Sequence, residues 1–330
     1  MKTMKAMLHD DNGALHWSDV PYPTPKDGEV IVKIRAAALN RADILQRQGQ
    51  YPSPEGCPPW MGLEIAGEIV EMTDNARQNC AFSVGDRVCA LLGGGGYAEF
   101  AAVKYDMLMP IPKGLSFEEA ASLPEAFATA YLNLFIEGHL TSGQTAFIPA
   151  GASGLASVAI PLAKAFGARV ITSVRYPNQV ETAKKLGADV VIDTSVTPVE
   201  AVLAEEEKAG HPVNLAMDCV SGGMIGKAMP FMARGGYWIV IATLAGTSAE
   251  IPLRPLLSKG LHLVGSTLRS RDPSFKAFVL SELVNKVWGK IESGELRPHV
   301  FAVFPITEAD KAHELMLSGK HSGKIVFKVC

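Results

Sequence analysis

Ala150-Gly151-Ala152-Ser153-Gly154-Leu155-Ala156 is the stretch on which the fold turns. It follows an apolar run at residues 145–150 and leads into residues 155–166, where apolar side chains recur at helical spacing. A second apolar run at 168–174 comes next, then a helical segment at 177–186 opened by Pro177. Short apolar runs at 190–192, 213–220 and 237–244 continue the rhythm. Strands separated by helices of this length make βαβ units, whose strands run parallel. The middle of the chain therefore reads as a doubly wound parallel sheet. A bend of small residues between its first strand and first helix lets the backbone approach a phosphate. The helix N-terminus there offers unpaired N–H groups and a favourable dipole.

As a G-x-G-x-x-G fingerprint the bend departs twice: Gly151 keeps the first glycine, Ser153 stands at the second and Ala156 at the third. Alanine is tolerated at the third position. Ser153 either crowds a diphosphate or donates a hydrogen bond to it. A tight strand–helix turn without a ligand is the alternative; the flanking strand, helix and second strand favour a dinucleotide, in a Rossmann-like domain. An NAD site usually places an acid at the end of the next strand for the ribose 2′-hydroxyl. Here Thr172-Ser173-Val174-Arg175-Tyr176 has no carboxylate. Arg175 is either a solvated side chain or a bidentate partner for a 2′-phosphate. NADPH is the expected cofactor.

Outward from this region, the first part of the chain is β-rich. Glu29-Val30-Ile31-Val32-Lys33-Ile34-Arg35 alternates like a half-buried strand, residues 63–70 form another apolar run, and residues 84–88 read as a turn feeding a strand. The four glycines at 93–96 precede no helix, so they read as a tight connection between strands. The tail Gly323-Lys324-Ile325-Val326-Phe327-Lys328-Val329 is a strand that we expect to return to the first domain, and Leu261-His262-Leu263-Val264 lies either at an interface or inside the sheet.

The bulk numbers agree with more than one core: 330 residues, 48% of them hydrophobic. A formal net charge of −3, without like-charge blocks, argues against nucleic acid or an anionic membrane as partner. The first residues contain no signal-peptide core and no later run is long enough to span a bilayer, so a cytoplasmic location is expected. Cys57, Cys80, Cys89, Cys219 and Cys330 are scattered, with no C-x-x-C pair, and read as reduced thiols. No H-x-x-x-H pair and no Gly-x-Ser-x-Gly elbow is present.

Asn40-Arg41-Ala42-Asp43-Ile44-Leu45-Gln46-Arg47-Gln48-Gly49-Gln50-Tyr51, Gly62-Leu63-Glu64, Gly85-Asp86, Pro124-Glu125-Ala126 and Thr129-Ala130 resemble the medium-chain dehydrogenase/reductase superfamily, over essentially the whole chain. Within it the sequence looks like the zeta-crystallin-type quinone oxidoreductases. The first of these stretches and Leu268-Arg269-Ser270-Arg271-Asp272 are similar to the tumour-suppressor-inducible branch. The resemblance implies an α/β protein: a GroES-like β-rich catalytic domain at 1–122, a Rossmann NADPH-binding domain at 123–268, and a segment at 269–330 completing the first. It implies homodimers or homotetramers. It puts Asn40 and Tyr51 near nicotinamide and substrate, Thr129 on the nicotinamide side, Gly265 and Leu268 in the segment approaching the carboxamide, and Lys320 near the 2′-phosphate. Gln179 and Thr194 stand where many members have a lysine and a tyrosine at the adenosine end.

Alcohol dehydrogenases of the superfamily hold zinc at positions that match Asn40, Leu63-Glu64 and Glu125. Leucine has no lone pair and an amide is a poor substitute for thiolate, so no metal is expected. Without zinc nothing strongly acidifies an alcohol. The expectation is hydride transfer from NADPH to a quinone, or else to an alkenal or other enone, with Tyr51 donating to the acceptor oxygen, Asn40 supporting it and Asp43 organising its loop. From the residues alone Tyr51 is equally a loop-packing aromatic; the resemblance favours the donor. A non-catalytic NADPH-binding protein is the more distant reading.

Overall fold

The computed structural model describes residues 2–10 and 12–329; Cys330 lies outside them. The strands are β1 (Thr3–His9), β2 (Leu15–Pro21), β3 (Glu29–Leu39), β4 (Glu64–Met72), β5 (Arg87–Leu91), β6 (Phe100–Lys104) and β7 (Leu108–Pro110). Next come β8 (Thr145–Ile148), β9 (Arg169–Val174), β10 (Val190–Asp193), β11 (Val213–Asp218), β12 (Met232–Val240) and β13 (His262–Gly265), and then β14 (Val300–Pro305) and β15 (Lys324–Lys328). They fall into two compact units, the described residues of Met1–Ala128 with Arg269–Cys330, and Thr129–Leu268.

In the second unit all six strands are parallel, in the order β10-β9-β8-β11-β12-β13. The order reverses between β8 and β11. In doubly wound sheets such a reversal, beyond the carboxyl ends of the strands, is where ligands bind. β8 is buried along its whole length, as a central strand covered on both faces must be. Phe147, Ile171, Ala216 and Trp238 form the middle of the core. β12 starts at Met232, five residues before the expected 237. Gly235-Gly236 reads as a break, yet the strand runs through it with Gly235 at φ +71°. β13 belongs to the sheet as its edge strand, paired with β12, and Leu263 is 43% exposed there.

The first unit is built on a seven-stranded sheet, β14-β15-β3-β4-β5-β7, with β6 also on β3. β3 is its spine: the alternation from Glu29 to Arg35 buries Val30, Val32 and Ile34, and the sheet covers Ile31 too. β15 pairs antiparallel with β3, setting Ile325 opposite Leu39. The glycine run lies between β5 and β6 and is a packing device. Gly62, at φ +104°, has no room for a Cβ, which would come 2.5 Å from the Gly96 Cα. Among the described residues no helix is long and apolar enough to cross a membrane.

Candidate active site

The bend after β8 is shaped from the backbone up. Ala150 takes a positive φ of 57°, and the Gly151 amide then donates to Ser173 O on β9 at 2.8 Å. A Cβ on Gly151 would collide with the Thr172 side chain, so only glycine passes here. Ser153 N bonds Ala150 O at 2.8 Å, and the Ser153 hydroxyl accepts the amide of Ala156, the first residue of the helix Ala156–Ala165, at 3.1 Å. Ser153 thus spends its lone pair on the helix and keeps its proton. Among the described residues the amides of Ala152, Gly154 and Leu155 donate to no protein acceptor. A bend with three unpaired amides at a helix start fits a diphosphate.

A residue that belongs to no sequence motif fixes the turn after β11. Buried Asp218 accepts the Val220 and Ser221 amides, both at 2.8 Å, and the Trp238 indole N–H at 2.9 Å. Burial pushes its carboxyl upward against these donors. Arg175 sits just past the end of β9, exposed, its guanidinium 5.6 Å from the Tyr176 ring and without a carboxylate partner among the described residues. Thr194 is tied to Val174 O at 3.0 Å. Thr129 is half-buried and its carbonyl accepts the Asn133 amide at 2.7 Å. Gly265 ends β13 and is exposed, whereas Leu268 is buried. The bend, residues 151–156, and Arg175 therefore share the carboxyl end of one sheet.

In the first unit Asn40 and Glu64 meet a partner that spacing did not reveal. Lys324, the first residue of β15, donates to Glu64 Oε1 at 2.6 Å, Asn40 Oδ1 at 2.8 Å and Leu39 O at 3.2 Å, which uses all three ammonium protons. Asn40 Nδ2 also donates to Glu64 Oε1 at 2.9 Å, and Glu64 Oε2 accepts the Glu125 amide at 2.8 Å, where a helix begins. Both charged side chains are buried, 4% and 0% exposed. Asp43 bonds the Asn40 and Gly62 amides and the Tyr97 hydroxyl, the loop-organising role expected of it. Burial pushes its carboxyl up to about 6. Asn40 is engaged on both faces by this cluster.

Tyr51 is half-buried; its amide bonds Leu45 O at 3.2 Å, while its hydroxyl has no protein partner among the described residues. Burial pushes the phenol up, Arg269 draws it down and Glu125 adds to the rise. Lys320 is exposed, in the turn after the helix Ala309–Ser318.

Residues 26–113 match the alcohol dehydrogenase GroES-like domain and residues 154–285 the zinc-binding dehydrogenase family. A quinone oxidoreductase-like protein 2 homolog from Nematostella vectensis is 33% identical over 305 residues, covering 90% of this chain and 81% of the relative. The chain belongs to the zeta-crystallin-like quinone oxidoreductase family. It is an oxidoreductase of the medium-chain type, with the GroES-like and Rossmann domains of that family. The quinone oxidoreductase of Thermus thermophilus, also solved with NADPH, superposes with a TM-score of 0.81 at 31% identity, over 98% of this chain and all of that one. The lovastatin diketide synthase of Aspergillus terreus is 31% identical over 324 residues, which cover 94% of this chain and 13% of the synthase.

The matched family's description includes zinc, and the donor set here does not fit it. Leu63 is buried without a lone pair, Asn40 stands at a thiolate position, and the Lys324 ammonium already holds the Glu64 oxygen a metal would need. Among the described residues no group of three His, Cys, Asp or Glu is arranged to bind a metal.

Proposed function

We propose that the protein is a zinc-independent NADPH:quinone oxidoreductase. The observation that carries this reading is the Tyr51 hydroxyl, unpaired and half-buried, in the unit where the polar groups around Glu64 are consumed by Lys324. With an ammonium fixed on Glu64 no Lewis acid is available to acidify an alcohol, so the favoured direction is reduction of an acceptor that is already electrophilic. NADPH supplies the hydride when bound. The amides of Ala152, Gly154 and Leu155, with the Ser153 proton, receive its diphosphate, and Arg175 and Lys320 receive the 2′-phosphate. Thr129, Gly265, Leu268 and Asn40 belong to the nicotinamide side. Tyr51 hydrogen-bonds the acceptor oxygen and supplies the proton that the reduced acceptor takes up. Enone reduction uses the same groups and is the second reading.

The edge strand β13, with Leu253 and Leu257 exposed at 72% and 84%, supports a second copy of the chain as partner, to be read by light scattering.

The test combines binding and turnover. NADPH is expected to raise the melting temperature more than NADH at equal concentration, because stabilisation follows affinity. NADPH consumption is expected with 9,10-phenanthrenequinone or 1,4-benzoquinone. Tyr51→Phe is expected to lower kcat about 100-fold, the scale of a single general acid. An equal or larger shift with NADH removes the cofactor preference. Turnover of 2-alkenals alone selects the second reading, and tight NADPH binding without turnover selects a non-catalytic binder.

A further inference from the structure

Arg269 is a cation of a different kind from Lys324. The residue is only 6% exposed, yet every group its side chain hydrogen-bonds is neutral: Nε donates to Gly93 O at 2.7 Å, Nη1 to Tyr51 O at 3.3 Å and Nη2 to Gln46 Oε1 at 2.7 Å. Among the described residues no carboxylate lies at ion-pair distance from it. Its guanidinium is 5.0 Å from the centre of the Tyr51 ring, in reach of a cation–π attraction. The groups around it are locked in turn. Gln46 Nε2 donates to Pro59 O at 2.8 Å, Ser53 Oγ to Pro58 O at 2.7 Å, and the Trp60 indole to Gly95 O at 3.0 Å. The glycines at 93–95 let this backbone close around the arginine: a Cβ on Gly94 would come 2.7 Å from Ser53 Oγ.

A buried charge with only neutral partners is expensive to keep, and a nearby negative charge relieves that cost. We infer that Arg269 is a positioning residue that holds Tyr51 in place and sets an unneutralised positive charge beside its ring, selecting hydride acceptors whose oxygen becomes anionic. The inference rests on the donor role proposed for Tyr51. A quinone that gains a hydride from reduced nicotinamide becomes a hydroquinone monoanion. One proton passed from the Tyr51 hydroxyl, and restored to it from water, completes the hydroquinone. Arg269 lowers the energy of the anion on either side of that transfer. The Glu125 carboxylate is the charge that opposes it on Tyr51.

The Tyr51 ionisation is followed by NMR on protein labelled with 13C at the tyrosine ζ carbon, the signal being assigned by its loss in Tyr51→Phe. Arg269→Gln is expected to move the Tyr51 titration midpoint up by about one pH unit, the lower end of the effect of a close opposite charge. It is also expected to lower kcat for 9,10-phenanthrenequinone at least about tenfold with little change in KM. Arg269→Lys is expected to restore the midpoint. If Arg269→Gln does not fold, Gln46→Glu supplies the counter-charge while leaving the arginine in place, and the same upward shift is expected. A midpoint unmoved in a folded Arg269→Gln or Gln46→Glu protein overturns the inference. The midpoint is readable whether or not quinones are turned over, so failure of the quinone reading shows separately, as a wild-type protein without turnover.

Discussion

At residues 151–156 three backbone amides are left without an acceptor among the described residues, whereas around Glu64 every proton of the Lys324 ammonium and both carboxylate oxygens are used. The bend is made of near neighbours in sequence and keeps its amides open. The cluster is made of residues far apart and has already been completed by one of its own side chains. The contrast separates two ways of handling polar groups: leave them open at a helix start, or close them with an internal charge. A lysine on the returning strand is enough to take up the oxygen that a metal would use.

The largest expected effect breaks the closed half. Lys324→Met leaves the Glu64 carboxylate buried without a counter-charge and should destabilise the protein by about 3–5 kcal/mol in denaturant unfolding. Adding Glu64→Gln should recover much of that loss, since the stranded charge is gone. A neutral Lys324→Met would mean that water enters the cluster and that it is not closed. The open half is tested by Gly151→Ala, whose Cβ meets Thr172. NADPH affinity should fall by about tenfold or more, with a stability loss of about 1–3 kcal/mol from overpacking. An unchanged affinity would place the diphosphate elsewhere.

The smallest effect sharpens the difference by pH. His313 is buried in the first unit, and burial, then the Arg47 charge, push its imidazole down from 6.5 to about 4 while Asp310 pulls it up. Its folded value is depressed, so the stability tied to the neutral ring is complete above pH 6.5 and is lost as the pH falls from there towards 4. Roughly 1 kcal/mol should be gone by about pH 5.5, and His313→Gln should remove that part of the slope. A slope that survives the substitution assigns acid sensitivity to other groups.

The same division governs what could be read from the chain. The bend and its sheet were legible because strand, small residues and helix follow one another within some thirty positions, and each periodicity is local. Leu63 and Asn40 already argued against zinc. Lys324 was not legible as part of the site: it is 260 positions from Glu64, and only β15 pairing with β3 brings them together. The available signal was a lysine opening an apolar strand, because a lysine that is fully buried is paired. Arg269 carries no local signal beyond the family resemblance, since its acceptors are two carbonyls and an amide with no motif of their own. Asp218 likewise acts through backbone amides that sequence alone does not position.

One consequence of Lys324 arriving on β15 concerns the order of events during folding. Until β15 pairs with β3, the Glu64 carboxylate has the Asn40 and Glu125 amides as partners but no counter-charge. The finished sheet is therefore a late achievement, and the ammonium acts as a latch that rewards the final strand for joining.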